Sequence, residues 1–277
     1  MTASPAASST FLATEAEGYE RVMGRWSRQL AKPFLDFTGS AEGERVLDVG
    51  CGTGHLAFAL AARTTSGQVH GVDLAAPYIA QAQANNAQPQ RIAFDMADAC
   101  ALPFADAGFD RVLSLLVLHF VPQGAQAIAE MRRVCKPGGT VAAAVWDARG
   151  GFVSNRIFFD TAAALDPAAH AARARNYTRP MTRPGELAQA WRTAGFDDVT
   201  ETTLAIRMTF ASFADYWAPY EGQEGPAAQY VSTLDAATRA RLRGAVEAAY
   251  LDGEDDGPRS YAALAWAVKG AAPQAQR

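Results

Sequence analysis

The residues best suited to chemistry lie in one run: Val46, Leu47, Asp48, Val49, Gly50, Cys51, Gly52, Thr53 and Gly54. Glycines at alternate positions let a chain turn tightly and let backbone N–H groups approach a ligand closely. Asp73 follows roughly twenty residues on, where nucleoside-binding α/β folds place an acid that accepts bonds from ribose hydroxyls. Asp98 comes next, in the run Ala97, Asp98, Ala99, Cys100. Its carboxylate suits an adenine amino group, with the Ala99 N–H reaching a ring nitrogen. Each feature alone has a plainer reading, as a glycine-rich turn, a helix cap or a turn aspartate. Acids at three successive strand ends are harder to dismiss.

Those strand ends come from the pattern around them. Residues 45–49 form a short apolar run before the glycines, read as a buried strand, and 55–63 an Ala- and Leu-rich helix. Strands over 68–72, 92–95, 111–117 and 140–146 alternate with helices over 76–85 and 125–134, the last closed by Lys136, Pro137, Gly138 and Gly139. The alternation indicates right-handed βαβ units on a parallel sheet. Ahead of it, Tyr19, Val22, Met23, Trp26, Leu30 and Phe34 recur at helical spacing over 19–37. Behind it, 152–175 reads helical, 184–194 is a helix with Gly195 as its C-cap, and 199–210 and 261–268 read as strands. Residues 213–250 read helical with breaks at 222–226.

Composition excludes several classes. The 277 residues are 49% hydrophobic and 19% charged, ordinary for a globular chain, and the net charge of −4 does not favour a nucleic-acid partner. Cys51, Cys100 and Cys135 form neither a disulfide framework nor a CxxC pair, which fits a reducing compartment and no metal site. The N-terminus lacks a signal-peptide pattern, and no apolar run approaches the roughly 20 residues of a membrane span. A cytoplasmic protein is expected. No internal repeat or clean linker is visible. The division expected is a disordered tail over 1–15 and one domain over 16–277, with a lid helix at 16–43, a cofactor-binding core at 44–147, and a helical elaboration with closing strands at 148–277.

The glycine spacing narrows the ligand. A dinucleotide fingerprint reads G-x-G-x-x-G, with pyrophosphate on the helix N-terminus. Here the last two glycines stand one residue closer, and Asp48 precedes them. A carboxylate there opposes a pyrophosphate and suits an ammonium, so a nicotinamide oxidoreductase is disfavoured. S-adenosylmethionine carries an ammonium, a ribose and an adenine, and no phosphate.

At this point a family resemblance is plain. Residues 46–57 resemble motif I of class I S-adenosylmethionine-dependent methyltransferases, and 71–74, 98–104, 109–122 and 133–140 resemble the later motifs in order. The chain is similar to the type 11 group, which includes the quinone-biosynthesis methyltransferases, over about 19–146. Residues 194–199 look like the lead into a sixth strand and extend the match to about 210. The resemblance implies an α/β fold, a Rossmann-like seven-stranded, mostly parallel sheet with helices on both faces and a helical lid. It implies that Gly50, Cys51, Gly52, Thr53 and Gly54 line the methionine part, with Asp48 toward its ammonium. It further implies Asp73 on the ribose, Leu74 beside adenine, Asp98 and Ala99 on the adenine edge, and Leu115, just past the fourth strand, beside the sulfonium. At 115–120 the chain departs from the quinone enzymes, so their substrate chemistry is not carried over.

Other residues carry two readings. Tyr19 and Trp26 fit simple helix packing, and also a lid whose Tyr19 or Arg25 meets the cofactor. His119 fits a structural histidine, and also a general base for a phenol or amine. Trp146 and Asp147 end the fifth strand at the same edge. Arg173, Arg175 and Arg179 fit a solvated face, and also the recognition of an anionic substrate group. The function expected is methyl transfer to a small-molecule acceptor in a pocket roofed by 19–26 and 152–177, with no nucleic-acid partner and no membrane span. A non-catalytic cofactor-binding subunit is the alternative. Acceptor, acceptor atom and oligomeric state stay open.

Overall fold

The computed structural model describes residues 9–11, 13 and 15–274. An N-terminal helix opens as α1 (Ala16–Tyr19), passes through one π-helical segment (Glu20–Gly24) and continues as α2 (Arg25–Thr38), ended by Gly39 at φ +75°. The alternating core follows: β1 (Arg45–Val49), α3 (His55–Ala61), β2 (Gln68–Asp73), α4 (Ala76–Ala84), β3 (Ile92–Met96), β4 (Phe109–Leu115), α5 (Gly124–Val134) and β5 (Cys135–Trp146). Then come α6 (Val153–Leu165), α7 (Ala169–Tyr177), α8 (Glu186–Thr193) and β6 (Asp197–Phe210). The chain closes with α9 (Phe213–Trp217), α10 (Gly225–Ser232), α11 (Ala236–Leu251) and β7 (Arg259–Ala271).

The seven strands form one sheet in the order β3-β2-β1-β4-β5-β7-β6. Pairs from β3 to β5 are parallel, and β7 runs antiparallel to both β5 and β6. After β1 the chain fills one side of the sheet and then crosses to β4 on the other. Such a reversal opens a crevice at the carboxyl ends of β1 and β4, where ligands of open α/β sheets bind.

Alternation along the strands assigns side chains to two faces. In β5, Ala142, Ala144 and Trp146 pack with Trp26, Leu30 and Phe34 of α2 and with Leu56 and Leu60 of α3. Val141, Ala143 and Val145 pack on the opposite face with Ile128 and Met131 of α5 and Trp191 of α8. Helices α6, α7, α9, α10 and α11 extend the first face's core beyond the sheet's end, through Phe158, Phe159, Tyr216 and Trp217. Two small residues on β5, Ala142 and Ala144, bring this layer close, and Trp146 ends that face at the crevice.

Two elements differ from expectation. The segment Lys136, Pro137, Gly138 and Gly139 belongs to β5 rather than closing the preceding helix, because Phe109 of β4 pairs with Cys135 across a register shift. The tail expected over 1–15 is partly placed, while residues 1–8, 12 and 14 lie outside the described residues. The Thr10 amide donates to the Phe120 carbonyl at 2.8 Å, and the Phe11 ring meets the Phe120 ring edge-on at 5.0 Å. An aromatic and a paired backbone amide dock this stretch against the core. Among the described residues no helix is long and apolar enough to cross a membrane.

Candidate functional site

The crevice holds a cavity of about 460 Å³, within the roughly 300–1,000 Å³ usual for small-molecule sites. The loop after β1 supplies Gly50 and Gly52, and the turn after β2 supplies Asp73 and Leu74. Ala97, Asp98 and Ala99 follow β3, and Leu115 stands at the end of β4. Leu115 is the strand's last residue rather than one beyond it. Leu116 follows in the left-handed region at φ +66°, a backbone cost of about 1–3 kcal/mol for a non-glycine residue that is often met at functional sites.

Backbone bonds fix the loop. The Gly50 and Cys51 amides donate to the Val72 carbonyl at 2.7 and 2.9 Å. Gly50 sits at φ +75°, and a Cβ there would stand 2.3 Å from Val117 Cγ2. The Gly52 amide donates to Asp73 Oδ2, and the Ala75 amide to Oδ1, both at 2.9 Å. Each carboxylate oxygen keeps a further lone pair for a ligand hydroxyl. Burial raises the Asp73 pKa, opposed by these backbone bonds. Asp98 Oδ1 accepts the Cys100 amide at 2.8 Å.

Asp48 lies beneath the loop rather than in the cavity wall. It is buried, and among the described residues neither carboxylate oxygen has a close hydrogen-bond partner. Burial, and then the charge of Asp73, push its pKa up to about 8. Cys51, Thr53 and Gly54 also stand outside the wall, a correction to the expected lining. The Thr53 hydroxyl turns away to Glu20 Oε1 at 2.5 Å, and the Gly54 amide closes the turn on the Cys51 carbonyl at 2.9 Å.

The N-terminal helix covers the loop. Tyr19 and Met23 line the cavity, and the Tyr19 ring lies 4.8 Å from that of Tyr78. Glu20 bridges the loop to the helix behind it, accepting from Thr53 and meeting His55 Nε2 at 2.7 Å. Burial works to raise the Glu20 pKa, but the bonds from His55 and Thr53 outweigh it and hold the carboxyl below its usual range. Arg25 is corrected: it lies outside the cavity wall, with its guanidinium on Asp215 at 2.9 and 3.1 Å and stacked over Trp26. Sequence reasoning missed Glu20, Phe11 and Glu224. Glu224 is buried and accepts from the Tyr78 hydroxyl and the Glu15 amide, both at 2.8 Å. A lone aromatic in a small, polar tail was the one available signal for Phe11.

A second chamber of about 90 Å³ shares Phe11, Met23, Phe120 and Trp146 with the first. Its wall includes His119, Phe152, Asn155, Asn176 and Arg179. The segment 152–177 therefore borders this chamber rather than roofing the first, whose cover is Phe11, Tyr19 and Met23. His119 is buried, and burial, followed by the Arg179 charge, pushes its pKa down to about 3. The imidazole is neutral near pH 7 and a weak proton acceptor, which argues against the general-base reading. Arg173 is held by Asp160 at 2.6 Å, and Asp147 Oδ1 accepts the Gly150 amide at 2.8 Å. Neither residue lines a chamber.

A family model described as a methyltransferase domain matches residues 46–139. The chain is 39% identical over 115 residues to the uncharacterized protein Rv1405c of Mycobacterium tuberculosis, covering 41% of each protein. It thus spans about two fifths of that relative's length. It is 36% identical over 171 residues to a demethylmenaquinone methyltransferase of Roseiflexus castenholzii, covering 58% of this chain and 71% of that one. In fold it is similar to phosphoethanolamine N-methyltransferase 2 of Haemonchus contortus, solved with phosphomonomethylethanolamine and S-adenosylhomocysteine. The TM-score is 0.57 at 18% identity, over 94% of this chain and 57% of that one.

Proposed function

We propose that this chain, which belongs to the class I S-adenosylmethionine-dependent methyltransferases of the type 11 group, moves the cofactor's methyl group to a small-molecule acceptor. The observation that carries this reading is one cavity, at the sheet's switch point, that gathers the glycine loop, Asp73 and Asp98 and shares Phe11, Met23, Phe120 and Trp146 with a second, aromatic chamber.

The residues fit the family's cofactor. Gly50 and Gly52 line the cavity with backbone alone, and a side chain on either would press on Val117 or Tyr19. Asp48 carries two buried oxygens with no close partner among the described residues, a place for an ammonium to act from the far side of the loop. Asp73 would accept from the ribose hydroxyls, Leu74 would pack on adenine, and Asp98 with Ala97 and Ala99 would frame the adenine edge. When bound, S-adenosylmethionine supplies an activated methyl group that an acceptor takes by in-line displacement. The chain's own task is alignment and the exclusion of water. Leu115, Leu116 and Trp146 present an apolar surface between the two chambers, and Phe11, Tyr19 and Met23 close the top. With His119 neutral and weakly basic, a proton leaving the acceptor would pass to solvent or would already be lost.

A chamber this small and this enclosed favours a compact metabolite over a nucleic acid or a protein side chain, and the acidic net charge agrees. Three unpaired, buried cysteines fit a cytoplasmic setting.

Calorimetric titration with S-adenosylhomocysteine tests the cofactor half of the reading. Asp73→Ala should weaken binding by about 1.5–3 kcal/mol, the range for hydrogen bonds to a charged group, or roughly tenfold and more. Transfer of a labelled methyl group to a metabolite extract tests the catalytic half. Unchanged affinity in Asp73→Ala would overturn the ribose assignment, and absence of transfer to every fraction would overturn the enzyme reading.

A further inference from the structure

Among the described residues, six buried side-chain polar atoms have no hydrogen-bond partner, and three of them belong to residues of the second chamber: His119 Nδ1, Trp146 Nε1 and Arg179 Nε. Buried polar groups are nearly always paired, so three orphans around one cavity point to a ligand that pairs them. Two can only donate, the indole N–H and the guanidinium N–H, while the neutral imidazole can present its N–H at Nδ1. Their common complement is an oxygen acceptor.

Arg179 adds charge. Its guanidinium stacks 4.3 Å over the Phe120 ring, and Nη1 donates to the Thr10 hydroxyl at 3.2 Å. No carboxylate lies within ion-pairing distance of it among the described residues. Arg133, Arg156 and Arg173, by contrast, each hold one. Burial, and then the neighbouring Arg175 charge, push the Arg179 pKa down to about 10, whereas the bond that Arg173 donates to Asp160 raises that of Arg173. The chamber's own carboxylate, Glu224, is turned to Tyr78 and the Glu15 amide. Arg179 is half-buried with its Nε out of contact with solvent, so a missing counter-ion carries a cost that a ligand anion removes.

The remaining wall is aromatic. At about 90 Å³ the chamber is smaller than the roughly 150 Å³ that accommodates a benzene ring in an apolar cavity. It has space for a charged end, with a ring left at the throat beside Phe120 and Trp146, facing the first cavity. Resting on the methyltransferase reading above, we propose that the acceptor is a small aromatic acid, its anionic oxygen held in the second chamber by Arg179, Trp146 and His119.

The test is calorimetric titration of the full chain, saturated with S-adenosylhomocysteine, with benzoate and 4-nitrophenolate as anionic probes and benzamide and benzyl alcohol as neutral ones. At least one anion should bind about tenfold or more tightly than its neutral counterpart, and Arg179→Gln should abolish that preference. Preference for benzoate identifies a carboxylate, and preference for 4-nitrophenolate a phenolate. Trp146→Phe keeps an aromatic side chain, removes one donor and should weaken the anions more than the neutral probes, so it carries the test if Arg179→Gln does not fold. Equal binding of anion and neutral probe, no binding of either, or an anion preference that survives both substitutions overturns the assignment. Failure of S-adenosylhomocysteine to bind at all would overturn the methyltransferase reading with it.

Discussion

Tyr19 stands directly over Gly52: its hydroxyl lies 3.0 Å from where a Cβ on Gly52 would sit. The same hydroxyl pairs with Ser27 of the same helix at 3.2 Å, so the Tyr19 ring cannot give way freely. Gly52 also holds φ +54°, a conformation that costs another residue roughly 1–2 kcal/mol. The covering helix and the ligand loop thus meet at an atom-sized gap. Gly52→Ala should lower stability by about 1 kcal/mol and displace Tyr19, weakening S-adenosylhomocysteine binding by a larger factor than the stability loss explains. In the double variant Gly52→Ala with Tyr19→Phe, the nearest obstructing atom is gone and part of the affinity should return. Additive effects in that double-mutant cycle would show that the two residues are not coupled.

The Asp48 carboxyl makes the fold sensitive to pH in a defined window. Its pKa stands at about 8 in the fold against an ordinary 3.8, so the folded chain keeps a proton that the unfolded chain has released. That contribution is fully present below the ordinary value and is lost as pH rises through 8. His119 works the other way: its pKa is about 3 in the fold against 6.5, so its contribution is present above 6.5 and is lost as pH falls toward 3. Between pH 6.5 and 8 only Asp48 of this pair changes stability. Denaturant unfolding should show stability falling across that interval by up to about 1.4 kcal/mol per pH unit, and Asp48→Asn should flatten the slope. Binding of the cofactor's ammonium near Asp48 at pH 7 should also release a proton, visible as a binding heat that depends on the buffer. A parent protein with no slope between pH 6.5 and 8 would show that Asp48 is ionised in the fold.

The parts of the site readable from the sequence are those set by local rules. A buried parallel strand is a continuous apolar run, so Arg45–Val49 is visible at once, and glycines at 50, 52 and 54 announce the positive φ values that they adopt. Strand ends then place Asp73 and Asp98 at the cavity. Helical periodicity puts Trp26 on a buried face of α2 but cannot say where Arg25 points. Its partner Asp215 lies 190 residues away, at the start of α9. Asp48 looks like a wall residue because it abuts the loop, yet the pleat turns its side chain beneath it. Glu224 sits in a stretch that reads as a helix break, and only the folded chain brings it to Tyr78. Long-range polar pairs of this kind leave no period in the sequence.

Phe11 offers the sharpest test of how the pocket is closed. It lies in a stretch of small and polar residues, yet its ring meets Phe120 edge-on, and it borders both chambers. The adjacent Thr10 anchors it through its amide and its hydroxyl, which both donate to the Phe120 carbonyl, and the hydroxyl also accepts from Arg179. The segment therefore rests on the two residues that border the acceptor side, Phe120 and Arg179. Phe11 lies outside the central core cluster, to which Trp26, Leu30 and Phe34 belong. Phe11→Ala should accordingly leave the denaturation midpoint nearly unchanged. It should remove an aromatic pair worth about 0.5–1.5 kcal/mol from the closed state, speeding S-adenosylhomocysteine dissociation about two- to tenfold. Stopped-flow displacement measures that rate. Deleting residues 1–28 would not make the same test, because it removes Trp26 and Ser27, both buried in the core. A dissociation rate in Phe11→Ala equal to the parent's would mean that the pocket is closed by Tyr19 and Met23 alone.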